Sequence, residues 1–223
     1  MDRSIFGKFL KTSPFVKIQK TFNTLRRQAS FRDTRGESQR PQRLYACILT
    51  VARKVGHILF NPAAANVLAS ASGDYTIKLW DVEAGNSKLS LEHKDIVQSL
   101  SWSADGSMLV TTCRDKKLRV WDVREGKAVV EVAGHSGAKN SRAVWMGEHD
   151  RIATTGFSKM SDRQLGLWDI RAAREPLNGF EILDQISGVC MPFWDEGTQC
   201  LYLAGKGYVM PLITLLFRRR LTN

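Results

Sequence analysis

The dipeptide Trp-Asp recurs in the middle of this chain and constrains its fold more than any other feature. It closes three similar runs in which apolar and polar residues alternate, YTIKLWDV, KKLRVWDV and RQLGLWDI. The tryptophans are Trp80, Trp121 and Trp168, which are 41 and 47 residues apart. Alternation over about five to seven residues is the period of a half-buried strand. The sequence therefore predicts a structural repeat of about 40 residues that is built from strands.

An aspartate and further strand-like runs complete each repeat. Asp74, Asp115 and Asp162 lie six residues before the tryptophans, after runs of small or β-branched residues such as VLASAS and LVTTC. Farther upstream, SLSWSADGS and ILFNPAAAN are apolar runs that end in turn-forming Asp-Gly or Asn-Pro pairs. Each repeat is predicted to form a four-stranded antiparallel sheet, so the chain is predicted to be all-β.

A histidine opens the second and third repeats. His93 follows a glutamate and His135 follows a glycine, whereas positions 50 and 51 of the first repeat are Thr-Val, and His57 lies outside the pattern. Repeats of about 40 to 45 residues with Gly-His near the start and Trp-Asp near the end resemble those of WD-repeat β-propellers. The resemblance implies a fragment of a propeller in which each repeat is one four-stranded blade.

The WD-repeat resemblance also implies a structural role for the repeated polar residues. In that family a buried histidine, a serine or threonine, the turn aspartate and the tryptophan hydrogen-bond in series, which gives the buried indole and imidazole their partners. The matching residues here are Ser70, Asp74 and Trp80; His93, Thr111 or Thr112, Asp115 and Trp121; and His135, Thr154 or Thr155, Asp162 and Trp168. We interpret them as architecture rather than as chemistry.

Two phrases, TTGFSKMSDRQ and GVCMPFWD, are more specific than the repeat itself, because no repeat geometry demands them. Together with KVGHILFNPAAANVLASASGDYTIKLWDVEAG they resemble the middle of coronins, most of all fungal ones, over about 70% of the chain, from Lys54 to Gly207. The resemblance implies a cytoplasmic protein that binds actin filaments and takes part in organising the actin cytoskeleton, at cortical patches.

The resemblance ends abruptly on both sides. Coronins have a seven-bladed propeller and a coiled coil, whereas this chain shows three repeats and the first two strands of a fourth, at about residues 54–92, 93–134, 135–180 and 181–207. Residues 1–53 and 208–223 depart from the family. The departures leave a truncated product without independent activity as one interpretation, and a general WD-repeat scaffold for protein–protein interaction as another.

An incomplete ring has a physical consequence. A propeller protects its strand edges by closing the circle, and an open array leaves edges and outer faces uncovered. We expect the isolated chain to be marginally soluble, to self-associate through its open blade edges, or to need a partner. In an alternative interpretation, the apolar tail VMPLITLLF adds a strand to the last blade and covers one edge.

The excess of basic residues belongs to the ends of the chain. Residues 1–53 hold 12 Lys and Arg against 3 Asp and Glu, whereas residues 54–207 hold 18 against 19. A nearly neutral repeat region argues against nucleic-acid binding. The basic arm is predicted to be mostly disordered; an organelle presequence, a membrane-surface helix and a kinase site at Ser30 are the alternatives.

Other function classes find little support. No apolar run reaches the roughly 18 residues of a transmembrane helix. The four cysteines do not form a disulfide framework, which indicates a reducing, intracellular compartment. Zinc spacings, phosphate loops and the G-x-S-x-G nucleophile motif do not occur. We therefore expect no enzymatic activity, no cofactor and no metal.

Basic turns of the blades are the candidates for actin contact. Because actin filaments are acidic, they would attract basic side chains in a salt-sensitive way. The candidate contact residues are Arg114, Lys116 and Lys117 in one repeat, with Lys159 and Arg163 in the next.

Overall fold

A computed structural model describes residues 53–186 and 188–205 with their side chains, and the backbone of residues 208–212. These residues belong to one of the two compact units of the chain, Leu44–Asn223. The predicted basic arm, apart from Arg53, and residues 213–223 of the divergent tail lie outside the described residues. Within the described part, no helix has the length and apolar character that crossing a bilayer requires.

The described chain folds into successive antiparallel sheets, which confirms the predicted all-β class. The first sheet contains β1 (Val55–Phe60), β2 (Val67–Ser72), β3 (Thr76–Asp81) and β4 (Asn86–Glu92). The second contains β5 (Val97–Trp102), β6 (Met108–Cys113), β7 (Lys117–Asp122) and β8 (Lys127–Ala133). The third contains β9 (Arg142–Trp145), β10 (Arg151–Phe157), β11 (Arg163–Asp169) and β12 (Phe180–Asp184), with a short 3-10 turn at Ile170–Ala172. The fourth contains β13 (Met191–Asp195), β14 (Cys200–Gly205) and β15 (Tyr208–Leu212).

The Trp-Asp aspartates form the turns that follow the third strand of the first two sheets. Asp81 Oδ1 accepts hydrogen bonds from the backbone N–H groups of residues 83 and 84, and Asp122 Oδ1 does the same for residues 124 and 125. Gly85 and Gly126 end these turns with φ values of 72° and 67°, a conformation that glycine adopts without strain. The aspartate of the Trp-Asp dipeptide therefore indicates a hairpin turn.

The core lies between the sheets and follows from alternation along the strands. Neighbouring residues of a strand point to opposite faces, so Leu109 packs between the first and second sheets while the adjacent Val110 packs between the second and third. Trp121 and Trp168 each pack toward the preceding sheet. Each sheet thus shares one apolar layer with the sheet before it and another with the sheet after it.

The first strands of successive sheets lie side by side, as the blades of a propeller require. Hydroxyl groups of β5 bind the backbone of β9: Ala143 N donates to Ser99 Oγ at 2.9 Å and Trp145 N donates to Ser101 Oγ at 3.0 Å. Between the first two sheets, Trp102 Nε1 donates to the Leu59 carbonyl at 3.3 Å. Polar side chains therefore join the blades where their inner strands meet.

The later sheets differ in two details from the sequence interpretation. The third sheet continues to Asp184, past the boundary drawn at about residue 180. In the fourth sheet, β15 pairs with β14, with Leu212 opposite Leu201, so a third strand follows the two that the repeat pattern indicates. The tail residues Val209–Leu212 thus add a strand to the last blade, in agreement with the alternative interpretation of VMPLITLLF.

Candidate protein interaction surface

A buried hydrogen-bonded set joins three repeat residues of the second sheet. The Thr111 hydroxyl accepts a hydrogen bond from Trp121 Nε1 at 3.1 Å and lies 3.1 Å from His93 Nε2. The Leu91 carbonyl can only accept and lies 3.4 Å from His93 Nδ1, which places the ring proton on Nδ1. The Thr111 hydroxyl then donates to His93 Nε2 while it accepts from the indole. This set holds the second blade to the connection that precedes it.

The third sheet repeats the arrangement and the first sheet keeps half of it. Thr154 Oγ1 accepts from Trp168 Nε1 at 2.8 Å and lies 3.0 Å from His135 Nε2. In the first sheet, Trp80 Nε1 donates to Ser70 Oγ at 2.8 Å. Thr111 and Thr154, rather than the neighbouring Thr112 and Thr155, occupy the central position.

The aspartates do not take the place in series with histidine that the repeat pattern suggests. Asp115 accepts hydrogen bonds from Arg119, with Nη2 to Oδ2 at 2.5 Å, and from the backbone N–H of Lys117 at 3.1 Å. Asp74 accepts from Thr76 N and Oγ1 at 3.0 and 2.7 Å, and Asp162 accepts from Ser158 Oγ at 2.8 Å. Carboxylates that bind the turn backbone and nearby donors stabilise the hairpins and not the histidines.

Burial sets the protonation of the repeat histidines. The pKa values of His93 and His135 are lowered to about 4, mainly by desolvation, and for His93 charge repulsion from Arg119 contributes to the lowering. Desolvation and the charge of Arg142 likewise lower the pKa of His57, which lies outside the repeat pattern, to about 4. All three imidazoles are neutral at physiological pH, so they act as structural hydrogen-bond partners.

The connections between strands form two opposite faces. We define the basic loop face by the turns and connections at 73–75, 93–96, 114–116, 134–141 and 158–162. Backbone hydrogen bonds join its parts: Arg114 N donates to the Ile96 carbonyl at 2.9 Å and Gly134 N donates to the Lys116 carbonyl at 2.7 Å. The face therefore extends without interruption across the ends of the second and third sheets.

The carboxylates of the basic loop face are engaged locally, which leaves its lysines to determine its outward charge. Asp95 accepts from the backbone N–H of Ile96 at 2.7 Å and pairs with Arg114 at 3.8 Å, while Asp115 and Asp162 bind Arg119 and Ser158 as described above. The exposed lysines are Lys94, Lys116, Lys139 and Lys159. In these turns the fully exposed charged side chains are basic, whereas the four aspartates are half-buried.

The five candidate contact residues differ in how far their side chains are exposed. Arg114 is 65% exposed, and Lys116 and Lys159 are exposed on the basic loop face. Lys117 is partly exposed and pairs with Glu131 of β8. Arg163 is wrong as a surface contact, because its side chain is only 2% exposed.

The burial of Arg163 has a physical reason. It is the first residue of β11, and its guanidinium pairs with Asp184, which lies opposite it on β12. The same group packs against Gly205 of β14, where a side chain would not fit. Arg163 therefore joins the third and fourth sheets instead of facing a partner.

Lys94, Lys139 and Met160 belong to the basic loop face but carry no repeat signal. Lys139 Nζ lies over the ring of Phe157, 4.6 Å from its centroid. Met160 is 84% exposed at the turn between β10 and β11. The only sequence indication of their position is that they lie in turns next to Gly-His or within TTGFSKMSDRQ.

The opposite face has an acidic cavity. It encloses about 430 Å³ between the turns at 103–107 and 147–150. Asp105, Glu148 and Asp150 line it together with Met108 and Trp145. Hydrogen bonds from Ser103 and Ser107 lower the pKa of Asp105, and Asp150 pairs with Arg171. The two faces thus differ in charge.

Comparisons with known proteins agree with this architecture. The family model for "WD domain, G-beta repeat" matches residues 46–81 and 85–122. The coronin-like protein of Saccharomyces cerevisiae is 59% identical over 157 residues, and the coronin-like protein crn1 of Schizosaccharomyces pombe is 60% identical over 156 residues. Each alignment covers 70% of this chain and 24% or 26% of the relative.

More distant coronins are similar to the same part of this chain. Human Coronin-2A is 38% identical over 162 residues, which are 70% of this chain and 30% of that protein. The crystal structure of the WD40 domain from Toxoplasma gondii coronin superposes with a TM-score of 0.67 at 34% identity, and covers 71% of this chain and 41% of that one. The chain spans about a quarter of the length of the fungal relatives. Over about 70% of its length, this chain therefore consists of WD repeats that are similar to those of coronins.

Proposed function

We propose that this chain binds actin filaments through the basic loop face, as a non-enzymatic protein that takes part in organising the actin cytoskeleton. The observation that carries the proposal is the set of exposed basic side chains on adjoining turns of one face of a coronin-like WD-repeat segment. WD-repeat proteins of the coronin type are generally scaffolds, and the buried histidines are structural partners.

The physical basis is charge complementarity. Actin filaments are acidic, so a positive face accelerates encounter and fixes orientation, while exposed pairs contribute little affinity each. The attraction is screened over about 8 Å at physiological ionic strength. Binding is therefore expected to weaken steeply as salt is added.

Three residues carry the proposed contact. Arg114 and Lys159 point outward from neighbouring turns, and Lys116 lies between them with Nζ donating to the Ser136 carbonyl at 2.7 Å. Lys117 has a smaller role, because its side chain is less exposed than that of Arg114 and its ammonium group lies closer to its carboxylate partner, Glu131.

Co-sedimentation of the full chain with actin filaments tests the proposal. The triple variant Arg114→Glu, Lys116→Glu, Lys159→Glu should lose most pelleting at low salt. The matched control is Arg124→Glu, Lys127→Glu, Arg174→Glu, which makes the same charge change at exposed sites away from this face. Equal pelleting of the two triple variants would contradict the site, and no pelleting of the unaltered chain would contradict the function.

We also propose that the chain is cytoplasmic, localises with cortical actin and self-associates through its first and last sheets. Four sheets are described here, whereas the ring implied by coronin resemblance has seven blades. Open ends of such arrays favour association. Sedimentation equilibrium should show dimers or larger species, and a concentration-independent monomer would contradict self-association.

A fluorescent fusion tests the proposed localisation. A fusion that stays diffuse in cells would contradict an association with cortical actin.

A further inference from the structure

Met160 is unusual among the large apolar side chains that the structure describes. It is 84% exposed, more than any other exposed large apolar residue of the described chain; Ile182 follows at 62% and Val129 at 57%. Methionine is soft and adaptable, and it is common at protein-binding surfaces. Since Met160 is not buried, its side chain adds no packing to the fold and is available to a partner.

The turn that carries Met160 is held by its own hydrogen bonds. The Ser158 hydroxyl donates to Asp162 Oδ2 at 2.8 Å and accepts from the backbone N–H groups of Met160 and Asp162 at 3.0 and 3.1 Å. Ser161 N also donates to the Ser158 carbonyl at 3.1 Å. A turn fixed in this way holds the backbone at Met160 in place, which lowers the backbone entropy lost on binding.

Lysines lie on the turns and connections next to the Met160 turn. Gly137 N donates to the Phe157 carbonyl at 2.7 Å, which joins the connection at 134–141 to the start of the Met160 turn. Lys139 packs over the Phe157 ring, and Lys116 Nζ binds the Ser136 carbonyl at 2.7 Å. Lys159 adjoins Met160 in the chain. An exposed apolar side chain and three exposed lysines therefore lie on hydrogen-bonded, adjoining parts of one face.

We propose that Met160 is the apolar anchor of the basic loop face, and that it enters an apolar recess of the actin filament while Lys116, Lys139 and Lys159 contact surrounding acidic groups. This rests on the proposed function, since it names the same partner. The lysines steer the approach and set the salt dependence. The methionine excludes water from the centre of the contact, where a few buried residues carry most of the binding energy.

The experiment is co-sedimentation of the full chain with actin filaments over a range of filament concentrations and salt. Met160→Ser should raise Kd by about tenfold or more, the effect of losing a central anchor, and should leave the salt dependence unchanged. Met160→Leu should stay within about threefold of the unaltered chain, because volume-conserving apolar changes are tolerated. Lys139→Gln with Lys159→Gln should lower affinity at low salt and flatten the salt dependence.

The control is Val129→Ser, which removes an exposed apolar side chain from the outer strand β8. It should leave Kd unchanged, and urea unfolding should show all variants to be folded. Pelleting of the unaltered chain with equal Kd for Met160→Ser would overturn the anchor and leave the proposed function standing. Failure of the unaltered chain to pellet would overturn both.

Discussion

Gly166 faces Phe180 across the β11–β12 pair, at the register position where Arg119 faces Glu131 in the sheet before. The absence of a side chain at Gly166 makes room for the Phe180 ring, whose centroid lies 4.5 Å from that of His135 and 5.9 Å from that of Trp168. One position of the blade thus accepts either an ion pair or an aromatic ring. In the third sheet the residue at this position, Phe180, is therefore the aromatic neighbour of the buried His135.

Gly166→Ala should therefore destabilise the third blade. An added Cβ would lie 2.9 Å from Phe180 Cε1 and 2.9 Å from Thr154 Oγ1, so the ring or the central threonine has to move. Overpacking of this kind typically lowers the free energy of unfolding by about 1–3 kcal/mol, which urea unfolding would measure. Gly56→Ala is the control, because its nearest contact would be the Ala71 carbonyl at 3.9 Å. Equal stability of the two variants would show that Phe180 can withdraw freely.

Thr111→Val should destabilise the second blade without changing its volume. The substitution removes the oxygen that accepts from Trp121 Nε1 and binds His93 Nε2, and leaves two buried polar groups unpartnered. Each such group costs about 1–3 kcal/mol, so a loss of at least about 2 kcal/mol in unfolding free energy is expected. Thr111→Ser keeps the hydroxyl and is expected to retain most of the stability. A smaller loss for Val than for Ser would contradict the role of the hydrogen bonds.

Arg119→Leu should cost more than removal of the neighbouring cation. The Arg119 side chain is 4% exposed and its partner Asp115 is 14% exposed, so the substitution leaves a largely buried carboxylate without its ion pair. Breaking such a pair costs about 3 kcal/mol or more, whereas Lys117→Gln, in an exposed pair, should cost under about 1 kcal/mol. Adding Asp115→Asn to Arg119→Leu should restore part of the loss, as a double-mutant cycle in urea would measure. No restoration would contradict the pairing.

The pH dependence of the same pair has a defined sign. Burial alone would raise the pKa of Asp115, but hydrogen bonds from Arg119 and the Lys117 backbone outweigh it and lower the pKa below its usual value of about 3.9. A carboxylate with a lowered pKa contributes stability above its unfolded pKa and loses it as pH falls toward the folded pKa. Unfolding free energy should therefore fall below about pH 4, and less steeply in Asp115→Asn.

The sequence predicts the repeat and its strands, because period and residue type decide which face of a strand is buried. It leaves open whether Thr111 or Thr112, and Thr154 or Thr155, binds the tryptophan. It does not predict partners that depend on cross-strand register. Arg119 lies opposite Glu131 of β8 and donates to both Glu131 and Asp115. Arg163 is buried where it lies opposite Asp184 of β12. Neither neighbour is apparent from spacing along the chain.

The candidate surface is harder to predict than the core. Basic residues in turns are usually solvated, so charge alone did not separate Lys159, which is exposed, from Arg163, which is not. The positions of Lys139 and Met160 on this surface depend on contacts with Phe157 and Ser158, which the sequence alone does not show. Exposure of a turn side chain depends on the neighbouring sheet, and a single strand pattern contains no information about it.

Acidification should destabilise the fold well above the range in which carboxylates titrate. The pKa values of His57, His93 and His135 are lowered from 6.5 to about 4 in the folded chain, chiefly by burial. Between these values the unfolded chain binds protons that the folded chain does not, so unfolding free energy falls as pH falls from about 6.5 toward 4 and is unaffected by these groups above about 7. Each histidine adds up to about 1.4 kcal/mol per pH unit to the slope. Urea unfolding at pH 7.5, 6.5, 5.5 and 4.5 measures this slope. His135→Gln should reduce the slope by the contribution of up to one proton, about 1.4 kcal/mol per pH unit. His149→Gln is the control for substitution of an exposed histidine. A flat stability profile from pH 7.5 to 4.5 would show that these imidazoles remain accessible to protons in the folded chain.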